Sequence, residues 1–136
     1  MSTANKQMLC LTICGYKLAD MSEDDYRDYM IKNHVPLVRG LMVKHGISSY
    51  SMTHNQTSTR ALIDEIFEPG FISVADYDCF IQIQFRDVQQ FIAFKSDPEY
   101  KRLVHGDHEN FMDIKKTTMS IGYVSDIIRD GVVVEN

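Results

Sequence analysis

A chain of 136 residues, 44% hydrophobic and 24% charged, is long enough to bury one core and too short for two independent ones. Its net charge of −5 repels polyphosphate, and no Lys/Arg cluster alternates with aromatics, which excludes nucleic acid as the expected partner. The opening MSTANKQM lacks an apolar leader core and LCLTIC is far shorter than the roughly 20 residues of a membrane span, so no membrane association and a cytoplasmic location are expected.

Residues 8–16, MLCLTICGY, are apolar at both alternations, which predicts a strand covered on both faces. Cys10, Cys14 and Cys79 contain no CxxC pair, and an odd count in strand-like segments reads as small buried hydrophobes in a reducing compartment. Ser22, followed by Glu23, Asp24 and Asp25, marks a helix N-terminus, because carboxylates favour the positive end of the helix dipole. Tyr26, Met30 and His34 then share one helical face. Pro36 disfavours helical geometry at Val35, so a break or kink is expected just after His34, with a second helical segment capped at Gly46.

ISSYSMTHN reads as a second strand with Tyr50, Met52 and His54 on one side. The connection 56–78 is too long for a hairpin and carries its own amphipathic turn, the mark of a lid over a cavity. CFIQIQF, 79–85, is the third strand, and the helix opening at Asp87 has Gln90 in capping-box position and is expected to bury Val88, Phe91 and Ile92. Asp97 and Pro98 restart the chain as N-cap and first helical residue. Residues 117–124 form the fourth strand, and the tail DGVVVEN is expected to pair with a neighbour.

The order β, α, β, β, α, β with right-handed crossovers gives one α+β domain, a ferredoxin-like sandwich with helices on one side of an antiparallel sheet. Phe80 shares the outward alternation with Gln82 and Gln84, and the first strand is apolar on both sides. The open sheet face is therefore expected to be too apolar for water and to meet a second copy in a homodimer.

The stretch GYKLADMSEDDYRDYMIKNHVPLV resembles the EthD-type members of the dimeric α/β-barrel superfamily, in which a strand, an "MS-E" turn, a helix and an "H-x-P-L" element follow in this order. ADYDCFIQIQF, DVQQFIAFKSDPEYKRLV and the "D-H-x-x-F" element DHENF extend the likeness over residues 8–125, and point to the small fungal EthD proteins of aromatic polyketide pathways. The resemblance implies a dimeric α/β barrel and a cofactor-free lyase, a decarboxylase or dehydratase, acting on an anthraquinone- or xanthone-type small molecule. A polyketide cyclase, a cofactor-independent anthrone oxygenase and a non-catalytic polyphenol binder are alternatives on the same scaffold. The insertion 56–78 departs from the shorter members.

The H-x-P-L and D-H-x-x-F histidines of the resemblance fall on His34 and His108. With Asp107 adjacent to it, His108 is expected to move a proton while His34 holds the carbonyl oxygen on which charge develops. Tyr26, Tyr50, His54 and Phe111 are expected to line the substrate cavity, His105 and Glu109 to face water, and Asp113 to orient a neighbour. Two imidazoles at i, i+3 beside Asp107 and Glu109 could approach one ion, but no third ligand at a fixed distance, no HExxH and no Cys-His framework is present. Neither metal nor cofactor is expected.

Overall fold

The chain runs β1 (Leu9–Gly15), α1 (Glu23–Tyr29), α2 (Val35–Lys44), β2 (Ser49–His54) and two single-turn helices, α3 (Thr57–Arg60) and α4 (Ile63–Ile66). It continues through β3 (Cys79–Phe85), α5 (Val88–Ser96), α6 (Pro98–Leu103), β4 (Thr118–Tyr123) and a hairpin of β5 (Ile128–Arg129) and β6 (Val132–Val133). These elements belong to a computed structural model that describes residues 7–135. The four long strands make one antiparallel sheet ordered β2-β3-β1-β4, the ferredoxin-like arrangement expected from the element order. No helix among the described residues is long and apolar enough to cross a membrane.

Strand periodicity decides what the sheet shows to the helices. Ile81 and Ile83 are buried and pair across the ladder with Ile13 and Leu11 on one side and with Met52 and Tyr50 on the other. Tyr26, Met30, Val38, Leu41, Met42 and Phe94 close over that face from the helices. At β4 the cover stops: Met119, Ile121 and Tyr123 share the helix-side alternation but stay exposed.

Four expectations are corrected. The helix does not break after His34; it passes through a π turn, Met30–His34, and runs on into α2. The Val35 N–H bonds to the Met30 carbonyl five residues back, and this wider turn accommodates Pro36, which has no N–H to give. On α5, Val88 and Ile92 are exposed, whereas Gln90 and Phe94 are buried. Gln90 turns inward because its amide accepts from the Arg86 N–H at 2.7 Å and donates to the His45 carbonyl at 2.9 Å, sealing two chain ends at once.

The open sheet face is not strongly apolar. Ser49, Ser51, Thr12, Thr53, Gln82 and Gln84 dominate it, with Cys10, Cys14 and Phe80 as its apolar members. Finally, the tail pairs within its own chain. Asp130 and Gly131 both take positive φ, 53° and 79°, the requirement of a two-residue hairpin turn that matches strand twist.

Candidate active site

Two segments far apart in sequence build the site, and each has a local reason for its shape. The π turn keeps His34 on the buried face begun by Tyr26 and Met30, leaving it 5% exposed. Downstream, α6 ends at Leu103 and Gly106, at φ 90°, reverses the chain in a conformation that costs a side-chain-bearing residue energy. The single 3-10 turn Asp107–Asn110 follows, so His105 and His108 do not share a helix. Backbone bonds from Leu18 N–H to the Phe111 carbonyl (3.1 Å) and from Asp113 N–H to the Tyr16 carbonyl (2.8 Å) strap this turn to the chain leaving β1. Phe111 is thereby driven fully into the core.

Asp107 is the hub. One carboxylate oxygen lies 2.8 Å from His34 Nδ1; the other accepts from the Tyr29 hydroxyl at 2.7 Å and from Asn110 Nδ2 at 3.1 Å. Burial pushes the Asp107 carboxyl up, but the hydrogen bonds from Tyr29, His34 and Asn110 outweigh it and hold the carboxyl below its usual range. Tyr29 is raised, first by that hydrogen bond and then by burial. The rings of His34 and His108 meet edge to face with centroids 4.7 Å apart, and Phe111 packs against both. Burial, then the charges of His34 and Lys95, depress His108 to about 4 against the pull of Asp107. His108 is therefore a neutral imidazole near pH 7.

Both imidazoles open onto a cavity of about 480 Å³ between sheet and helices, within the size range of small-molecule sites. Leu11, Ile13, Met52, Ile81 and Ile83 form its floor, Val38, Met42, Phe91 and Phe94 its roof. Tyr50, Tyr100, Lys95, His105 and Glu109 supply the remaining polar groups. Burial raises the Tyr50 and Tyr100 phenols, so both remain protonated and able to donate.

Of the residues expected at the site, His34, His108, Tyr50 and Phe111 come together here. Asp107 belongs to the site but partners His34, not His108, because the 3-10 turn aims it at the α1–α2 junction. Tyr26 and His54 lie elsewhere. They border a separate water-sized hollow of about 10 Å³ with Glu23, Arg27 and Asp78. Tyr26 stands eight residues before His34, about 12 Å along the helix, and His54 four residues beyond Tyr50, about 13 Å along the strand. The Tyr26 hydroxyl and His54 Nδ1 are buried without a hydrogen-bond partner among the described residues. His105 and Glu109 are exposed as expected, yet border the cavity. Among the described residues, the Asp113 carboxylate accepts only from the Lys116 N–H, capping a turn.

None of residues 56–78 lines the cavity, so this insertion is no lid over it within one chain. It docks on α1 instead, where Glu23 accepts from the Thr57 N–H and hydroxyl and from Arg60. Among the described residues, no three carboxylate, imidazole or thiol groups gather in a metal-holding cluster. Sequence reasoning missed Tyr29, Asn110 and Lys95. Tyr29 lies five residues from His34, a poor fit to the α-helical period and a good one to the π turn, and nothing in the sequence announces that turn.

Residues 18–115 match the EthD domain family. The chain is 47% identical over 127 residues to a decarboxylase of Passalora fulva, claH, covering 93% of this chain and 82% of the relative. It is 44% identical over 129 residues to a conidial pigment biosynthesis dehydratase of Metarhizium robertsii, covering 95% and 91%. Among solved structures, an ethyl tert-butyl ether D family protein of Bacillus halodurans superposes with a TM-score of 0.55 at 15% identity, covering 85% of this chain and 96% of that one. A dimeric ferredoxin-like protein of Thermobifida fusca superposes at 0.52 and 7% identity, covering 88% and 93%. The two superpositions show the shared fold.

Proposed function

The chain belongs to the EthD family, and from that premise we propose that this lyase removes carbon dioxide or water from an aromatic polyketide intermediate of the anthraquinone or xanthone type, without a cofactor. The relatives carrying the names decarboxylase and dehydratase are fungal and resemble this chain over nearly its whole length, which supports a lyase in fungal secondary metabolism. The single observation that carries the mechanism is the line Tyr29–Asp107–His34 ending beside His108 at the wall of the apolar cavity.

Both reactions run through an enolate-like state. In decarboxylation the bond to the carboxyl carbon breaks, its electron pair passes into the adjacent carbonyl, carbon dioxide leaves and the ring carbon takes a proton. In dehydration a base removes the proton beside the carbonyl, and the β-hydroxyl departs as water with a proton from an acid. One proton carrier and one hydrogen-bond donor to the carbonyl oxygen serve either.

His34 is the carrier in this reading. Its Nδ1 is engaged by Asp107, leaving Nε2 to exchange a proton, and the carboxylate offsets the charge that develops on the ring as it does so. His108, held neutral, has one N–H to offer the oxygen without a competing positive charge beside His34. This exchanges the roles expected from the sequence, because Asp107 backs the other imidazole. Tyr50 and Phe111 contribute to substrate orientation, and the apolar walls exclude water from the enolate.

A homodimer in the cytoplasm completes the reading. Apolar side chains exposed on β4, along the 56–78 insertion and on the β5–β6 hairpin give a second copy apolar area to cover, and the Thermobifida fusca relative of the fold is dimeric. Cys10, Cys14 and Cys79 are all free thiols, as suits a reducing compartment.

The test is incubation of the purified protein with a hydroxyanthraquinone carboxylic acid and with a β-hydroxy ketone precursor, aerobically and anaerobically, with mass spectrometry of products. Loss of carbon dioxide or water independent of oxygen, abolished in His34→Ala, is expected. Oxygen uptake, ring closure without loss of either small molecule, or full turnover by both His34→Ala and His108→Ala would overturn the proposal.

A further inference from the structure

Among the described residues, Lys95 is the one lysine or arginine bordering the cavity. It sits in the last turn of α5, one residue beyond Phe94 and one helical turn beyond Phe91, both of which roof the same space. Lys95 is exposed while bordering the cavity, as suits a lysine beside an apolar surface. Among the described residues it forms no ion pair, although other lysines do: Lys32 pairs with Asp28 and Lys44 with Asp97. Glu109 borders the same cavity without reaching it. His108 lines the same cavity as Lys95, and the lysine charge is the smallest of the influences that lower the imidazole.

We propose that Lys95 is the residue that selects a carboxylated aromatic ligand, its ammonium pairing with the carboxylate of a planar polycyclic acid whose rings occupy the apolar cavity. This deepens the lyase reading and rests on it. The protein carries a net charge of −5, so its general field repels a carboxylate, and an uncommitted cation at the cavity is the local feature that reverses this. Completing the dipole of α5 accounts for a cation at this helix end, but arginine would serve that end equally, and the dipole gives no preference between acid and neutral ligands. Pairing with the carboxylate stabilises bound reactant more than transition state in a decarboxylation, because the carboxylate gives up its charge as carbon dioxide leaves. Lys95 is therefore a specificity residue whose loss raises KM more than it lowers kcat.

The experiment measures binding of anthraquinone-2-carboxylate and of the neutral 2-(hydroxymethyl)anthraquinone by calorimetry to full-length wild type, Lys95→Met, Lys95→Arg and Glu109→Gln, each checked for an unchanged melting temperature. Wild type is expected to prefer the carboxylate about tenfold, the size of a charged hydrogen bond. That preference disappears in Lys95→Met, survives in Lys95→Arg and grows in Glu109→Gln. A Lys95→Met protein that keeps the full preference, or a wild type that binds both probes equally, overturns the assignment of Lys95 while leaving the aromatic cavity standing. Failure of wild type to bind either probe overturns both.

Discussion

His34 Nδ1 and Asp107 lie 2.8 Å apart although 73 residues separate them in the chain, and the Tyr29 hydroxyl closes on the other oxygen of the same carboxylate at 2.7 Å. A carboxylate so placed fixes the tautomer of an imidazole and offsets the charge the ring takes up. Asp107→Asn keeps the shape but removes the charge and can present the wrong tautomer. Turnover should fall about 10²-fold, within the usual contribution of a positioned acid–base group, with KM nearly unchanged. Tyr29→Phe removes one of three hydrogen bonds and should cost less. Steady-state kinetics on the purified variants check both, and a raised KM at unchanged kcat would assign Asp107 to ligand binding instead.

His108 makes a pH prediction that its neighbours do not. Its folded value, about 4, lies below the model-peptide value of 6.5, so between these limits the unfolded chain binds a proton that the folded chain refuses. Its contribution is fully present above pH 6.5 and is lost as pH falls toward 4, at up to about 1.4 kcal/mol per pH unit. Urea unfolding of wild type and His108→Gln across pH 4–7 should show a shallower slope in the variant through that window. Identical slopes would mean that the ring reaches solvent when protonated.

Asp97 predicts a second acid limb, at lower pH. Its carboxylate is buried and accepts from Lys44 Nζ and His45 Nε2, both at 2.8 Å, and from the Glu99 N–H at 2.9 Å, joining the end of α2 to the start of α6. The Lys44 and His45 hydrogen bonds hold it well below the usual carboxylate range. The stability it contributes is present above the unfolded value near 4 and is lost as pH falls further. Asp97→Asn should melt several degrees lower at pH 7, and the gap from wild type should close below pH 3. A gap that persists there would make the contact one of packing.

Much of this was legible in the sequence for reasons that are local. Alternation in 79–85, the Ser22 and Asp87 caps and the Asp97-Pro98 start all act within a few residues, and the structure keeps each. The failures involve partners far apart. Val88 and Ile92 read as core, but Gln90 displaced them because two orphaned backbone groups from distant chain ends needed its amide. Pro36 read as a break or kink, but an upstream π turn accommodates it and the helix runs on into α2. His34 and His108 carried a motif and were found; the pairing of Asp107 depends on how a 3-10 turn is strapped to β1, which no spacing encodes.

Tyr26 and Gly15 give the sharpest test of packing away from the site. The Tyr26 hydroxyl is buried with no hydrogen-bond partner among the described residues, and a methyl group added at Gly15 would stand 2.9 Å from it. Tyr26→Phe removes the oxygen that this methyl would meet while keeping the ring, and should change stability by no more than about 1 kcal/mol. Gly15→Ala should destabilise, because nothing in a well-packed wall can move aside freely. Its other near neighbours, the Cys79 carbonyl and Cβ at 3.6 and 4.0 Å, are ordinary contacts. Removing the hydroxyl should therefore relieve most of the strain, and the double variant should be more stable than the sum of the single effects. Thermal denaturation of the four proteins in a double-mutant cycle measures this coupling. Additive effects would place the Gly15 requirement in the backbone of β1, not in the oxygen facing it.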